Sequence, residues 1–183
     1  MTPAVAHCWR SSQARVLAVL VLVVVACPAQ AQAPSESRAR CMAADPETKI
    51  SGCTAVILSG QETASNLAVA YSNRSDAEEA MGLHDRAIAD ATTAIQLSPG
   101  RAAAYNARAW AYHGRGQDLL GLPDAEKAVQ LAPGDPYSLE TRAEIYERLG
   151  RRDQALADYR ASAAIAPRLK EAQDGLRRLG AGS

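Results

Sequence analysis

Between residues 87 and 97 apolar side chains recur at helical spacing, at Ala87, Ile88, Ala91, Ala94, Ile95 and Leu97. That spacing lines one face of an α-helix and does not alternate as a half-buried strand would. The pattern returns along the chain, and each run stops at a proline: Pro99, Pro133 and Pro167 lie 34 residues apart. Reading back from each proline, Arg74, Arg108 and Arg142 fall in register. So do Ser75, Ala109 and Ala143, then Gly82, Gly116 and Gly150, and finally Asp90, Asp124 and Asp158. A period of this length predicts an all-α solenoid of antiparallel helix pairs, each pair too small to bury its apolar face alone.

Each unit has the signals to start and stop two helices. Asp135 before Pro136 is the clearest start, an N-cap acceptor followed by a residue that has no N–H to satisfy. Helix A then runs to Gly82, Gly116 or Gly150, where glycine tolerates the left-handed conformation that ends a helix. Helix B follows, and the closing proline forbids its continuation. Pro123 interrupts this plan. An interior proline costs roughly 3 kcal/mol in a helix, so helix B of the middle unit is expected to start late or to kink. Upstream, Lys49–Ile57 aligns with the helix B pattern at an offset of 38, placing Ile50 on Ile88 and Cys53 on Ala91, and predicts half a unit. Downstream, Arg168–Gly180 places Leu169, Ala172, Leu176 and Leu179 on one face and reads as a solvating cap. The recurring Arg of helix A and Asp of helix B are expected to form structural ion pairs, because a residue needed once per repeat belongs to the repeat's architecture.

These landmarks resemble the tetratricopeptide repeat. The fourth position holds Tyr71, Tyr105 and Leu139, the eleventh Glu78, Tyr112 and Tyr146, and the twentieth Ala87, Gly121 and Ala155. The resemblance implies a right-handed superhelix with units over 68–101, 102–135 and 136–169, preceded by a linker and half-repeat over 32–67 and followed by a capping helix and tail over 170–183. Glu78 stands where the family places an aromatic or Leu, so the first unit is expected to be loose there. In the family, helix A lines an inner concave face. Carried across, that face comprises Val69, Ser72, Asp76, Glu79 and Ala80, then Ala103, Asn106, Trp110, His113 and Gly114, then Tyr137, Glu140, Glu144, Glu147 and Arg148. Such a groove is acidic with an aromatic centre. Family members that grip a peptide's C-terminal carboxylate do so with Lys, Asn and Arg. The matching positions here are Ser72, Asp76, Ala107, Tyr137 and Thr141, so that clamp is missing. The resemblance therefore implies a protein or peptide partner, extended or helical, that is basic or apolar. Trp110 is the expected anchor, since aromatic side chains dominate interface energies; the alternative is that it packs at the unit boundary.

The N-terminus changes the charge and cysteine balance. Arg10 and Arg15 precede an apolar run, Val16–Ala26, of eleven residues, short of the roughly 20 a spanning helix needs. A basic start, a short apolar middle and the small-residue exit around Ala29-Gln30-Ala31 together describe a signal peptide over 1–31 and an exported, periplasmic bacterial protein. The competing reading takes Val24–Cys27 as a lipobox, with Cys27 lipidated and the chain a membrane-tethered accessory or assembly factor of an envelope complex. Loss of 1–31 leaves 20 − 2 = 18 basic against 20 acidic residues, a net of −2, which argues against nucleic acid as a partner. Cys41 and Cys53 then remain, twelve positions apart. In an exported chain such a pair reads as a structural disulfide, worth on the order of 3 kcal/mol for a loop of this size. Zinc requires more ligands at closer spacing, and no Cys-x-x-Cys redox motif is present.

Chemistry is absent from the pattern. His84 and His113 lie in different units without a ligand pair at convincing spacing, and both read as solvent-facing. No phosphate loop, nucleophile elbow or His-Glu-x-x-His appears. The expectation is a non-catalytic scaffold without cofactor, and self-association through the exposed solenoid end is a further possibility.

Overall fold

The computed structural model describes residues 34–181; the expected signal peptide and Cys27 lie outside them. The described chain is helical throughout: α1 (Pro34–Cys41), α2 (Pro46–Leu58), α3 (Ala64–Ala80), α4 (His84–Leu97), α5 (Ala102–Gly114), α6 (Asp118–Leu131), α7 (Pro136–Arg148), α8 (Arg152–Ile165) and α9 (Lys170–Arg178). α3–α4, α5–α6 and α7–α8 pack as successive pairs, with α3 against α5 and α5 against α7. α9 closes the far end against α8.

Local chemistry sets the helix ends. Asp135 caps α7 by accepting from the Ser138 N–H at 3.0 Å, and Asp45 caps α2 by accepting from that of Thr48 at 2.8 Å. At the end of each helix A the chain turns through glycine, with φ of 74° at Gly82, 76° at Gly116 and 72° at Gly150. The next residue then bonds back across the turn: the Leu83, Gln117 and Arg151 N–H groups donate to the Glu78, Tyr112 and Tyr146 carbonyls at 2.8 Å each. This closure satisfies carbonyls that the helix end would leave open.

The core between helices consists largely of alanine. Ala68, Ala94 and Ala104 form one cluster; Ala109, Ala125, Ala143 and Ala155 join Leu122, Ile145, Tyr146 and Tyr159 in another. Small side chains bring backbones close, and at Gly121 an added Cβ would stand 2.9 Å from the Ala109 carbonyl oxygen.

Polar ties cross this thin core once per unit. Arg74 grips Asp90 with two hydrogen bonds of 2.6 and 2.9 Å, Arg108 grips Asp124 at 2.7 and 2.8 Å, and Arg142 grips Asp158 at 2.7 and 2.8 Å. The ion pairs expected from the repeat therefore form within each unit. The remaining guanidinium nitrogen reaches the preceding helix B, from Arg74 to Thr54 Oγ at 3.0 Å and from Arg108 to Thr92 Oγ at 3.3 Å. Thr54 and Thr92 differ by the same offset of 38 that aligns α2 with α4, so α2 occupies the place of a helix B.

Three expectations need correction. α6 does not start late; Asp118 follows His84 by 34 positions, and Pro123 lies inside the helix. Pro123 faces solvent, so the carbonyl it deprives of a partner lies on the hydrated side of the helix. Glu78 is not loose but 1% exposed; it bonds to Arg86 at 2.8 Å, while its Oε2 has no partner among the described residues. Finally, the segment before α2 contains a helix of its own. α1 packs along α2 where Gly52 lets it approach; a Cβ there would come within 2.5 Å of the Arg40 carbonyl carbon. The Cys41–Cys53 disulfide joins the two helices beside that contact.

Both kinds of tie can be tested by removal. Arg108→Ala leaves Asp124 buried without its partner and is expected to cost about 3 kcal/mol in urea unfolding; Thr92→Ala, which removes the contact from Arg108 and the hydroxyl's own bond to the Ile88 carbonyl but leaves the ion pair, is expected to cost about 1 kcal/mol. Reducing the disulfide is expected to speed hydrogen exchange in α1 and α2 by more than about tenfold while leaving α7 and α8 unchanged, since repeat stability is local.

Candidate protein-binding hollow

The helix A row curves around a hollow of about 520 Å³. α3 contributes Asp76, Glu79 and Ala80; α5 contributes Ala103, Asn106 and Trp110; α7 contributes Tyr137, Glu140 and Thr141. Spacings of three and four residues along each helix carry these side chains to one face. Asp135, Leu169 and Glu171 complete the wall. Helix-face spacing could not reveal those three: Asp135 is a cap, and the other two enter only when α9 folds back.

The remaining groove candidates lie elsewhere. Ser72 is buried and donates to the Ala68 carbonyl at 2.9 Å. Val69 borders a separate hollow of about 370 Å³ beside Cys41 and Met42. Gly114 leaves room for Glu79 to approach His84, with Oε1 and Nδ1 3.6 Å apart. Glu147 accepts from Tyr159 at 2.7 Å and from Arg178 at 3.1 and 3.0 Å, and this last donor holds its carboxyl below the usual range.

His113 is the main departure from the sequence reading. It is 8% exposed rather than solvent-facing. Its Nδ1 lies 2.6 Å from Asp118, and its Nε2 lies 2.7 Å from an Arg148 nitrogen. Arg148 can only donate, so Nε2 accepts and the Nδ1 proton points to Asp118, which makes the ring neutral. Burial pushes its pKa down, against the pull of Asp118. Arg148 also donates to the His113 carbonyl at 2.7 Å, and Glu144 Oε2 lies 3.5 Å from Nε2. Trp110 stacks on this ring with centroids 5.2 Å apart. The indole is thus half-buried, lining the hollow on one side and stacked on the His113 ring of its own helix on the other.

The electrostatics of the hollow are one-sided. Asp76 is exposed at the wall of the hollow; desolvation by the surrounding protein raises its carboxyl to about 6, against the pull of Lys49 and Arg101 and with Glu79 adding to the effect. Burial raises Glu140 to about 7, helped by Glu144 and Glu171. Burial likewise raises Glu79 and Glu144. Among the described residues no salt bridge reaches Asp76, Glu140 or Glu171, and Asn106 Oδ1 is buried without a partner. No group of three His, Cys, Asp or Glu among the described residues comes together to hold a metal ion.

Residues 137–169 match the family model for the tetratricopeptide repeat. The fold is a tetratricopeptide-repeat solenoid. Solved tetratricopeptide domains share it. The Arabidopsis OM64 TPR domain is 23% identical, with TM-score 0.59, covering 63% of this chain and 96% of that one. The first TPR of Spaghetti (RPAP3), bound to the HSP90 peptide SRMEEVD, is 22% identical, with TM-score 0.59 and coverage of 63% and 92%. MamA is 17% identical, with TM-score 0.60 and coverage of 81% and 78%. No curated protein matches the sequence significantly.

The raised carboxyls carry a stability consequence with a definite sign. In the unfolded chain Glu140 ionises near 4.5, whereas in the folded chain it holds its proton to about 7. Its contribution is fully present below the lower value and is lost as pH rises through the upper one. Asp76 behaves likewise between 3.8 and about 6. Glu140→Gln is therefore expected to unfold at the same denaturant concentration as the parent at about pH 4, and at a higher one at about pH 8.

Proposed function

We propose that the chain is a non-catalytic scaffold for protein–protein interaction, holding a peptide or protein segment in the concave hollow. The observation that carries this reading is a row of carboxylates around Trp110, of which Asp76, Glu140 and Glu171 form no salt bridge among the described residues. Elsewhere charges are paired within the chain, as at Arg108–Asp124 and Glu147–Arg178. A site that concentrates unmatched charge has given up stability, as interaction sites do. Neighbours of the same fold support a peptide ligand: Spaghetti holds SRMEEVD and the second RPAP3 domain holds SGPTIEEVD. Those peptides are acidic, and the hollow here is acidic too, so the segment it accepts is basic or apolar.

We further propose export to the bacterial cell envelope, supported by the layout of residues 1–31 and by the Cys41–Cys53 disulfide, a bond kept in oxidising compartments. The purified protein is expected to have a mass beginning at Gln32; a lipidated Cys27 would instead mark the tethered form. For the hollow, a photo-crosslinking residue at Asn106 is expected to capture a discrete partner, and one at the outward-facing Pro123 is not. Trp110→Ala is expected to weaken the captured complex by about 30-fold, the size of an interface hot spot. Equal capture from both positions, or binding indifferent to Trp110, would count against the hollow.

A further inference from the structure

The lining of the hollow narrows its occupant beyond a peptide in general. Five of the lining residues are acidic, namely Asp76, Glu79, Asp135, Glu140 and Glu171, and none is Lys or Arg. Asp135 is already spent on capping α7, where its carboxylate accepts from the Ser138 N–H and hydroxyl. The other four form two poles: Asp76 and Glu79 on α3, and Glu140 on α7 with Glu171 on α9. Between them α5 presents the indole of Trp110, with Asn106 one turn before it.

The distance between the poles follows from the packing. α3 and α7 each lie against α5, and neighbouring helix axes stand about 8–10 Å apart. The axes are therefore up to about 20 Å apart, and roughly 15 Å separates side chains that reach inward from both. An extended chain advances about 3.3 Å per residue, so about four or five residues bridge that gap.

Building on the proposed peptide-binding role, we propose that the hollow selects an extended segment with two cationic side chains about four or five residues apart, one at each acidic pole, and an apolar residue between them on Trp110. Charge complementarity supports this occupant over an acidic tail, a membrane surface or a nucleic acid, all of which carry the charge the hollow repels. An aromatic face between two anionic poles also attracts cations passing over it. The chain's own cations do not fill this role: Lys49 and Arg101 act on Asp76 from α2 and from the loop before α5, without forming an ion pair to it among the described residues.

Binding of this kind releases protons. Asp76 faces Glu79, Lys49 and Arg101, and Glu140 faces Glu144 and Glu171. A bound cation at either pole favours the ionised carboxylate, so affinity falls as the solution is acidified through the range in which these groups hold protons.

The test uses the full chain and three fluorescent, end-capped peptides: one with two lysines flanking a leucine at the stated spacing, one with norleucine for both lysines, and one with glutamate for both. The dilysine peptide is expected to bind at least about tenfold more tightly than the norleucine peptide at low salt. That preference is expected to shrink between about 50 mM and about 0.5 M salt. It should also decline from about pH 8 to about pH 5.5. Asp76→Asn with Glu140→Gln, a pair of near-isosteric changes, is expected to abolish the preference and its pH dependence. Trp110→Ala should weaken both peptides. If the norleucine or glutamate peptide binds as tightly, in a Trp110-dependent manner, cation selection is wrong and the peptide-binding role stands. Cation selection is equally overturned if no peptide binds yet crosslinking at Asn106 still captures a partner. A dilysine peptide that binds the doubly neutralised variant equally well sits elsewhere and overturns the proposal. So does a dimer of the wild-type chain that the double variant dissolves, since the occupant is then a second copy.

Discussion

The bidentate grip of one arginine on one aspartate, repeated in each helix pair, is the constraint on which the rest of this structure depends. The interior offers little else to fix how the helices sit. The chain has no phenylalanine, and an alanine removes only a methyl group's worth of apolar surface from water, so many helix rotations would bury nearly as much. A planar guanidinium meeting a carboxylate with two parallel bonds tolerates few of them. Such pairs contribute modest net stability because both charges must leave water. Their value here lies in geometry: Arg74, Arg108 and Arg142 hold helix A against helix B, and the first two also reach back to the unit before.

The hollow follows from that constraint. Once the pairs fix the rotation of each helix A, side chains two positions from its arginine, on the opposite side of the helix, project to the inside of the curve. Asp76 and Glu140 are among them, and both are ionised less readily than in water. Residues that close the architecture are treated differently. His113 is enclosed by Asp118, Arg148 and Trp110, and Glu147 is neutralised by Arg178 and Tyr159. The same surface thus holds both residues satisfied at home and residues without a salt bridge, and Asp76, Glu140 and Glu171 of the second kind face the open space.

Much of this was legible from residue order alone, for a physical reason. Capping by Asp135, termination by glycine and proline, and the recurrence of Arg and Asp are local or strictly periodic signals, so they survive without knowledge of contacts. What escaped was non-local or uneven. The burial of His113 depends on Arg148, 35 residues further on. The tolerance of Pro123 depends on which side of α6 meets water. α1 has no apolar rhythm; Ser37 and Cys41 are its buried residues, and a disulfide with a neighbouring glycine holds it. Glu171 reaches the hollow only because α9 doubles back, which no helical wheel records.

The two ends of the array are secured by different means. At the N-terminal end a covalent bond fastens α1 to α2, whereas at the C-terminal end α9 is held by the packing of Ala172 and Gly175 under Tyr159 and by the Arg178–Glu147 pair. The solenoid therefore has a mechanical polarity. Pulled from both termini it would unravel from α9 first, and because α9 brings Glu171 to the wall of the hollow, release of any held segment would precede the loss of most of the scaffold.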